Sequence, residues 1–193
     1  MNENKIYEII LYSRGGQGMV TGMEILADMA FEDGFRDVLS IPIIGAERRG
    51  APIKAFLRLS PTLEIKSFSA ITKPDVTLIF DQTLLEIPMI AESIKGGIVI
   101  LNASPDFDYE FPADVDLYRV DATQIAVDEG LLVAGSPVLN VPMIGAYAKV
   151  MGHVKMDTLN SVLVERFGSK AQKNYACADA AFNSVTNEQA EVC

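Results

Sequence analysis

A chain of 193 residues, 49% of them hydrophobic, suits one sizeable α/β domain and is short for two. No apolar run approaches the roughly 20 residues of a membrane-spanning helix, and a formal net charge of −10 argues against nonspecific binding to nucleic acid or an anionic membrane. Two cysteines, Cys177 and Cys193, make no disulfide framework, and the start "MNENKIYEII" lacks the features of a secretory signal, so a reducing cytoplasm is the expected location.

Ile6 to Tyr12 is an apolar run of strand length. From Met19 to Phe31 the period becomes helical, with Met19, Met23, Leu26 and Ala30 on one face and Gly34 as the stop. Asp37 to Ile41 predicts a second strand. After a loop, "IKAFLRLS" at 53–60 alternates and predicts a strand with one face less buried. Val76 to Phe80 is a compact strand ending at Asp81. Ile87 to Ile94 fits a short helix, and "GGIVILN" a strand closed by Asn102. "DLYRVDATQIAVDEG" reads as strand then helix, with Asp121 and Gln124 spaced as a capping box. The last third is helical. Asn140 is placed to cap a helix running to Val150 and closed by Gly152, Met156 to Phe167 forms the next, and an alanine-rich helix runs from Lys170 to about Val185. Strands alternating with helices predict a Rossmann-like α/β domain: a mostly parallel sheet covered on both faces, with a helical C-terminal third, over residues 1–193.

The loop between the first strand and helix, Ser13-Arg14-Gly15-Gly16-Gln17-Gly18, is the unusual feature. Glycine admits positive φ and close approach, and the N–H groups that open the following helix favour an anion. Neither the dinucleotide fingerprint nor a P-loop fits, because Ser13 stands where a first glycine belongs and no lysine follows. Tight-turn packing alone and an anion site both remain open on these residues. Arg14, Arg48, Arg49 and Lys54 are local basic exceptions in an acidic chain; they are either solvated charges or a pocket for an anion or an acidic partner.

Several chemistries are missing. Two cysteines are too few for the four thiolates of an iron–sulfur cluster, and a single histidine, His153, makes no histidine-rich metal site. His153 reads as an ordinary loop residue and Cys177 as a small core residue. Asp81 and Glu86 read as turn caps. No Gly-x-Ser-x-Gly elbow occurs, and no nucleophile has a plausible base. The residues by themselves describe a binding domain without its own reaction centre.

"RGGQGMVTGMEILADMAFEDG" at 14–34 and "GAERRGAPIKAFLRLS" at 45–60 closely resemble the gamma subunit, or gamma domain, of the 2-oxoacid:ferredoxin oxidoreductases. "KPDVTLIFDQTLL", "IKGGIVILNAS", "VDATQIAVDEG" and the stretch from "NVPMIGAYAKV" onward agree, so the resemblance covers about residues 6–185. It implies a non-autonomous subunit of an enzyme that decarboxylates a 2-oxoacid on thiamine diphosphate with Mg. Electrons pass through 4Fe-4S clusters to ferredoxin, and in most members the acyl group passes to coenzyme A. It also implies that thiamine diphosphate and the clusters sit in alpha, beta and delta-type partner subunits, and that the gamma part contacts coenzyme A, holds the complex together, or both.

On that resemblance the site residues are Arg14, Gly15, Gly16, Gln17 and Gly18 from the first segment, with Gly45, Glu47, Arg48, Arg49 and Gly50 from the second. The glycines would leave N–H groups free for an anion or for close packing of a partner. The arginines would neutralise coenzyme A phosphates or pair with a neighbouring subunit. Two departures stand out. Ser13 replaces the family's first glycine, and Lys155 stands where a helix-capping serine is common, which predicts a less firm start to the helix after Val154. The competing readings are a free-standing Rossmann-like nucleotide-binding or regulatory module, which would purify alone, and a structural subunit with no ligand.

Overall fold

The computed structural model describes residues 2–43 and 49–188. A seven-stranded sheet runs in the order β2-β3-β1-β4-β5-β6-β9. It is built from β1 (Tyr7–Arg14), β2 (Asp37–Ile43), β3 (Pro52–Ser60), β4 (Val76–Ile79), β5 (Ile98–Asn102), β6 (Asp116–Val120) and β9 (Thr186–Asn187). β1, β4, β5 and β6 pair in parallel, β3 runs antiparallel between β1 and β2, and β9 closes the far edge antiparallel to β6. Five of the seven strands therefore point the same way. A small hairpin, β7 (Leu132–Val133) with β8 (Ser136–Pro137), stands apart; neither it nor β9 was expected from the sequence.

Five helices share one face: α1 (Met19–Glu32), α3 (Ala122–Asp128), α4 (Asn140–Met151), α5 (Met156–Phe167) and α6 (Ala171–Ser184). The apolar side of α1, with Met19, Met23, Ile25, Leu26 and Met29, packs on Ile9, Leu11 and Leu57 of the sheet. α1 ends in a Schellman turn in which the Phe35 N–H donates to Ala30 O and Gly34 takes φ 94°. The opposite face is covered more thinly, by a 3-10 turn at Gln82–Glu86, by α2 (Pro88–Ser93) and by the segments 61–73 and 103–115. The sheet is thus covered on both sides, but unequally.

Two expectations need correction here. β3 is an interior strand, so both of its faces are buried from Ala55 to Ser60. Arg58, 3% exposed, sits in it because its guanidinium is fully engaged: Nε donates to Glu8 (2.8 Å), Nη1 to Ser67 O and Nη2 to Ser69 O. The helix at Met156 also starts firmly without a capping serine. Asp33, at the end of α1, accepts from the Lys155 N–H and from Thr158 Oγ1, each at 2.7 Å, and supplies the cap from a distant part of the chain.

Candidate functional site

The chain leaves β1 toward β2 on one side and later places β4 on the other side of β1, so the sheet reverses its direction of growth between β1 and β4. Ligands of open α/β sheets bind at the carboxyl ends of the strands at such a point. The glycine loop is there. Gly16 and Gly18 take φ of 99° and 84°, a region in which a side chain is strained. A Cβ on Gly18 would also lie 3.2 Å from Val138 and 3.3 Å from Asn140. These two glycines answer to backbone conformation and, at Gly18, to packing.

A network beneath the loop holds it. Ser13 Oγ and the Arg14 N–H both donate to Gln17 Oε1, at 2.8 and 2.9 Å, and Gln17 Nε2 donates to Asp81 Oδ2 at 3.0 Å. Ser13 lies inside β1, fully buried and paired with Ile53, so no permissive glycine is needed there. Asp81 also accepts from the Thr83 N–H and hydroxyl, as a cap of the 3-10 turn. Arg14 donates through Nε and Nη2 to Thr83 Oγ1 and through Nη1 to Gly50 O, and lies 3.5 Å from Asp81. Its guanidinium positions the loop.

The second segment lies beside the first, as expected for the described part of it. The Gly15 N–H donates to Ala51 O (2.9 Å) and the Gly50 N–H to Gly15 O (3.0 Å), which extends the β1–β3 ladder into the loops. Gly15 therefore does not offer a free N–H, contrary to the expectation for all three loop glycines. Arg49 Nη2 donates to Ser136 Oγ at 2.7 Å and so ties this segment to β8. Gly45, Glu47 and Arg48 lie outside the described residues.

Two cavities adjoin the loop. One, of about 400 Å³, lies at the ends of β4, β5 and β6 among Gln17, Asp81, Asn102, Asp121 and Thr123. Its polar groups bond one another: Asn102 Nδ2 donates to Phe80 O and Thr123 Oγ1, and its Oδ1 accepts from the Thr123 N–H. The other, of about 670 Å³, opens between Gly16 and Gly18, the start of α4, the β7–β8 hairpin and the start of α6. Leu132, Val133, Val138 and Phe167 give it an apolar wall, and Lys170 and Lys173 contribute the cationic groups. Asn140 and Asn174 reach it from α4 and α6. The sequence reading missed these residues, apart from Asn140, which it took for a cap. In the structure Leu139 holds the cap position, and Asn140 Oδ1 accepts from the Val141 N–H. The available signal was Lys170, Lys173 and Asn174 at helical spacing at the start of an alanine-rich helix in an acidic chain.

His153 is not a loop bystander. It is 7% exposed, its Nδ1 lies 2.7 Å from the Tyr147 hydroxyl, and its ring packs 4.3 Å from that of Tyr7. Burial lowers its pKa to about 4 and pushes the Tyr147 hydroxyl above the ordinary tyrosine range. The neutral imidazole and the Tyr147 hydroxyl share this hydrogen bond, its direction set by the tautomer of the ring. Cys177 is buried in the core, as expected. Among the described residues no group of three or more His, Cys, Asp or Glu is placed to hold a metal ion, and no helix is long and apolar enough to cross a membrane.

Comparison with known proteins gives a consistent picture. The family model for pyruvate ferredoxin/flavodoxin oxidoreductase matches residues 8–184. Pyruvate synthase subunit PorC of Methanothermobacter thermautotrophicus is 37% identical over 92% of this chain and 95% of its own length. The pyruvate/ketoisovalerate oxidoreductases common subunit gamma of Thermococcus kodakarensis is 38% identical over 92% of this chain and 96% of its own. The crystal structure of the pyruvate oxidoreductase subunit PORC of Thermotoga maritima superposes with a TM-score of 0.80 at 28% identity, covering 95% of this chain and 99% of that one. A 2-oxoglutarate:ferredoxin oxidoreductase from Magnetococcus marinus, solved with 2-oxoglutarate, coenzyme A and succinyl-CoA bound, shares the fold with a TM-score of 0.74 at 21% identity over 94% of this chain and 30% of that one.

Proposed function

The chain belongs to the pyruvate ferredoxin/flavodoxin oxidoreductase family as a gamma-type subunit of a 2-oxoacid oxidoreductase complex, and on that premise we propose that it contributes coenzyme A contacts and subunit cohesion to the complex. In this reading decarboxylation of a 2-oxoacid and electron transfer to ferredoxin take place on thiamine diphosphate with Mg and on 4Fe-4S clusters. Those groups are held by alpha, beta and delta-type partners in the cytoplasm. The free-standing module is set aside by the family, whose members named above are subunits.

The observation that carries the coenzyme A reading is the position of the Gly15–Gly18 and Arg49–Gly50 segments, laced together at the point where the sheet reverses. Arg14 and Gln17 spend their polar groups on fixing this edge. Arg49 is exposed and spends one nitrogen on Ser136, which leaves further donors for phosphate oxygens. The residues thus fit an anionic ligand, while they offer nothing that fits an iron–sulfur cluster. Coenzyme A, when bound, accepts the acyl group; this chain's part is to hold it and to exclude water around it.

The reading is tested by reconstitution. The isolated chain should give no 2-oxoacid-dependent viologen reduction, and activity should appear when the partner subunits are added. Arg49→Ala should raise the coenzyme A KM of the assembled enzyme about tenfold, the size of one lost charge-assisted hydrogen bond. If the KM is unchanged and the complex instead dissociates more readily as salt rises, Arg49 serves the subunit interface and the ligand reading loses its main support.

A further inference from the structure

The segment that leaves β3 crosses the thinly covered face of the sheet and carries, at Phe68, a ring that is 72% exposed. Ile65 and Ile71 of the same segment turn inward and are buried, so the segment closes the core without Phe68. Yet the backbone around Phe68 is held firmly. The buried Arg58 guanidinium donates to Ser67 O at 3.2 Å and to Ser69 O at 2.9 Å, so one group grips the carbonyls on either side of the ring. The Ser67 and Ser69 hydroxyls meet at 2.8 Å across the same turn, and Glu8 of β1 anchors the guanidinium. Burying a guanidinium carries a desolvation cost, and a ring left in water gives the fold no burial in return. The clamp presents Phe68 outward. A ring whose backbone is already fixed loses little freedom when something covers it, and aromatic anchors of this kind dominate protein contacts.

The surroundings narrow what covers it. Residues 66–73, "KSFSAITK", hold two lysines and no acid in a chain of net charge −10. Lys66 and Lys73 are both exposed. Lys66 lies 3.5 Å from Glu64, an exposed pair that a new partner can exchange. An apolar knob between two cations fits an apolar recess rimmed by carboxylates. A two-fold contact between copies of this chain would set Phe68 against Phe68 and bring the lysines of both copies together, which repel. A head-to-tail contact between copies would build rings or open filaments, whereas the relatives are named as subunits of enzymes. An anionic bilayer would attract the lysines and repel the rest of the chain.

We infer that Phe68 is the anchor by which this chain docks on a different subunit of its complex, entering an apolar pocket with an acidic rim. Arg58 is its positioning residue. This names a surface for subunit cohesion and rests on the reading of the chain as a subunit. The surface lies away from the glycine loop: Arg58 sits opposite Glu8 near the start of β1, and Gly15 follows the other end of that strand.

The complex is produced with p-benzoylphenylalanine in place of Phe68 and irradiated, and the cross-linked peptides are mapped by mass spectrometry. Cross-links should fall on one stretch of one partner subunit, in a peptide that contains Asp or Glu. The concentration at which this chain leaves the purified complex on dilution is measured as well. Phe68→Ser should raise it about thirtyfold, the size of one lost anchor residue, and Phe68→Leu much less. Lys66→Gln with Lys73→Gln should flatten its dependence on salt. The Tm of the isolated Phe68→Ser chain, and the coenzyme A KM of whatever remains assembled, should match wild type. Cross-links confined to a second copy of this chain, or absent, would overturn the proposal. So would release of the Phe68→Ser chain within about threefold of wild type, or Phe68-dependent binding to phosphatidylserine vesicles without a cross-link to a partner. A wild-type chain that joins no partner subunit would instead remove the subunit reading itself.

Discussion

The two faces of the sheet are held by different means. On the helical face, elements meet at backbone distance. A Cβ on Gly22 of α1 would lie 3.1 Å from Asn140 of α4, and a Cβ on Gly145 would overlap the carbonyl of Ala178 in α6. On the other face, long segments are pinned by single arginines. Arg58 holds Ser67 O and Ser69 O. Arg119 Nη1 holds the carbonyls of Ser104, Pro105 and Phe107, while its Nε lies 2.9 Å from Glu188, near enough to attract it but out of line for a hydrogen bond. A face closed by steric fit fails when volume is added. A face closed by polar anchors fails when a donor is removed, and then it fails segment by segment.

The comparison breaks most sharply at Gly145. Gly145→Ala should cost about 3 kcal/mol or more, because the added methyl displaces a whole helix; thermal unfolding measures it, and a wild-type Tm would mean that α4 and α6 do not meet this closely. Arg58→Ala should cost about 2 to 3 kcal/mol, because it removes three charge-assisted hydrogen bonds and empties the buried site that the guanidinium fills. It should also expose 61–73 to protease while the helical face stays protected from hydrogen exchange. Uniform loss of protection would erase the distinction between the faces.

A pH titration sharpens the comparison at the base of the helical face. His153 has a folded pKa of about 4 against an ordinary 6.5, so the unfolded chain binds the proton more readily. The stability that neutral His153 contributes is complete above about pH 6.5, falls as pH drops toward 4, and is level below that. Wild type should lose about 2 kcal/mol more than His153→Gln between pH 7 and pH 5, read from urea midpoints. Equal losses would mean that the histidine is solvated. The smallest effect belongs to Gln17→Ala, which should cost about 1 kcal/mol, because Ser13 and Asp81 keep other partners. The coenzyme A KM should nonetheless rise as the loop slackens, and an unchanged KM would detach the loop from the ligand.

The helical face was the more legible of the two. Met19, Met23, Leu26 and Ala30 announce α1 by period, and Gly34, Gly152 and Gly168 mark the ends of three helices, because helical packing is written locally. The other face was not legible in the same way. Arg58 reads as the polar member of an alternating strand, and its burial depends on carbonyls that a later segment delivers. The candidate site divides along the same line. The glycine loop and its apposition to Arg49–Gly50 could be read in short motifs. The cleft could not, since Gly18, Asn140 and Lys173 meet only through folding. The partners of Arg14 could not be read either, because Thr83 is 69 residues away.

Asp33 also sets an order of events. It closes α1 yet bonds Lys155 and Thr158, 122 and 125 positions later, and Arg166 of α5 reaches back to Asp28 and Glu24 in α1. At about 5–20 residues per second of synthesis, the end of α1 waits on the order of ten seconds for those partners. Its methionine-rich side has no α4 or α5 to rest against in that interval. The helix that the glycine loop begins is made well before the helices that complete it, and whatever shields nascent apolar surface in the cell must guard it through that interval.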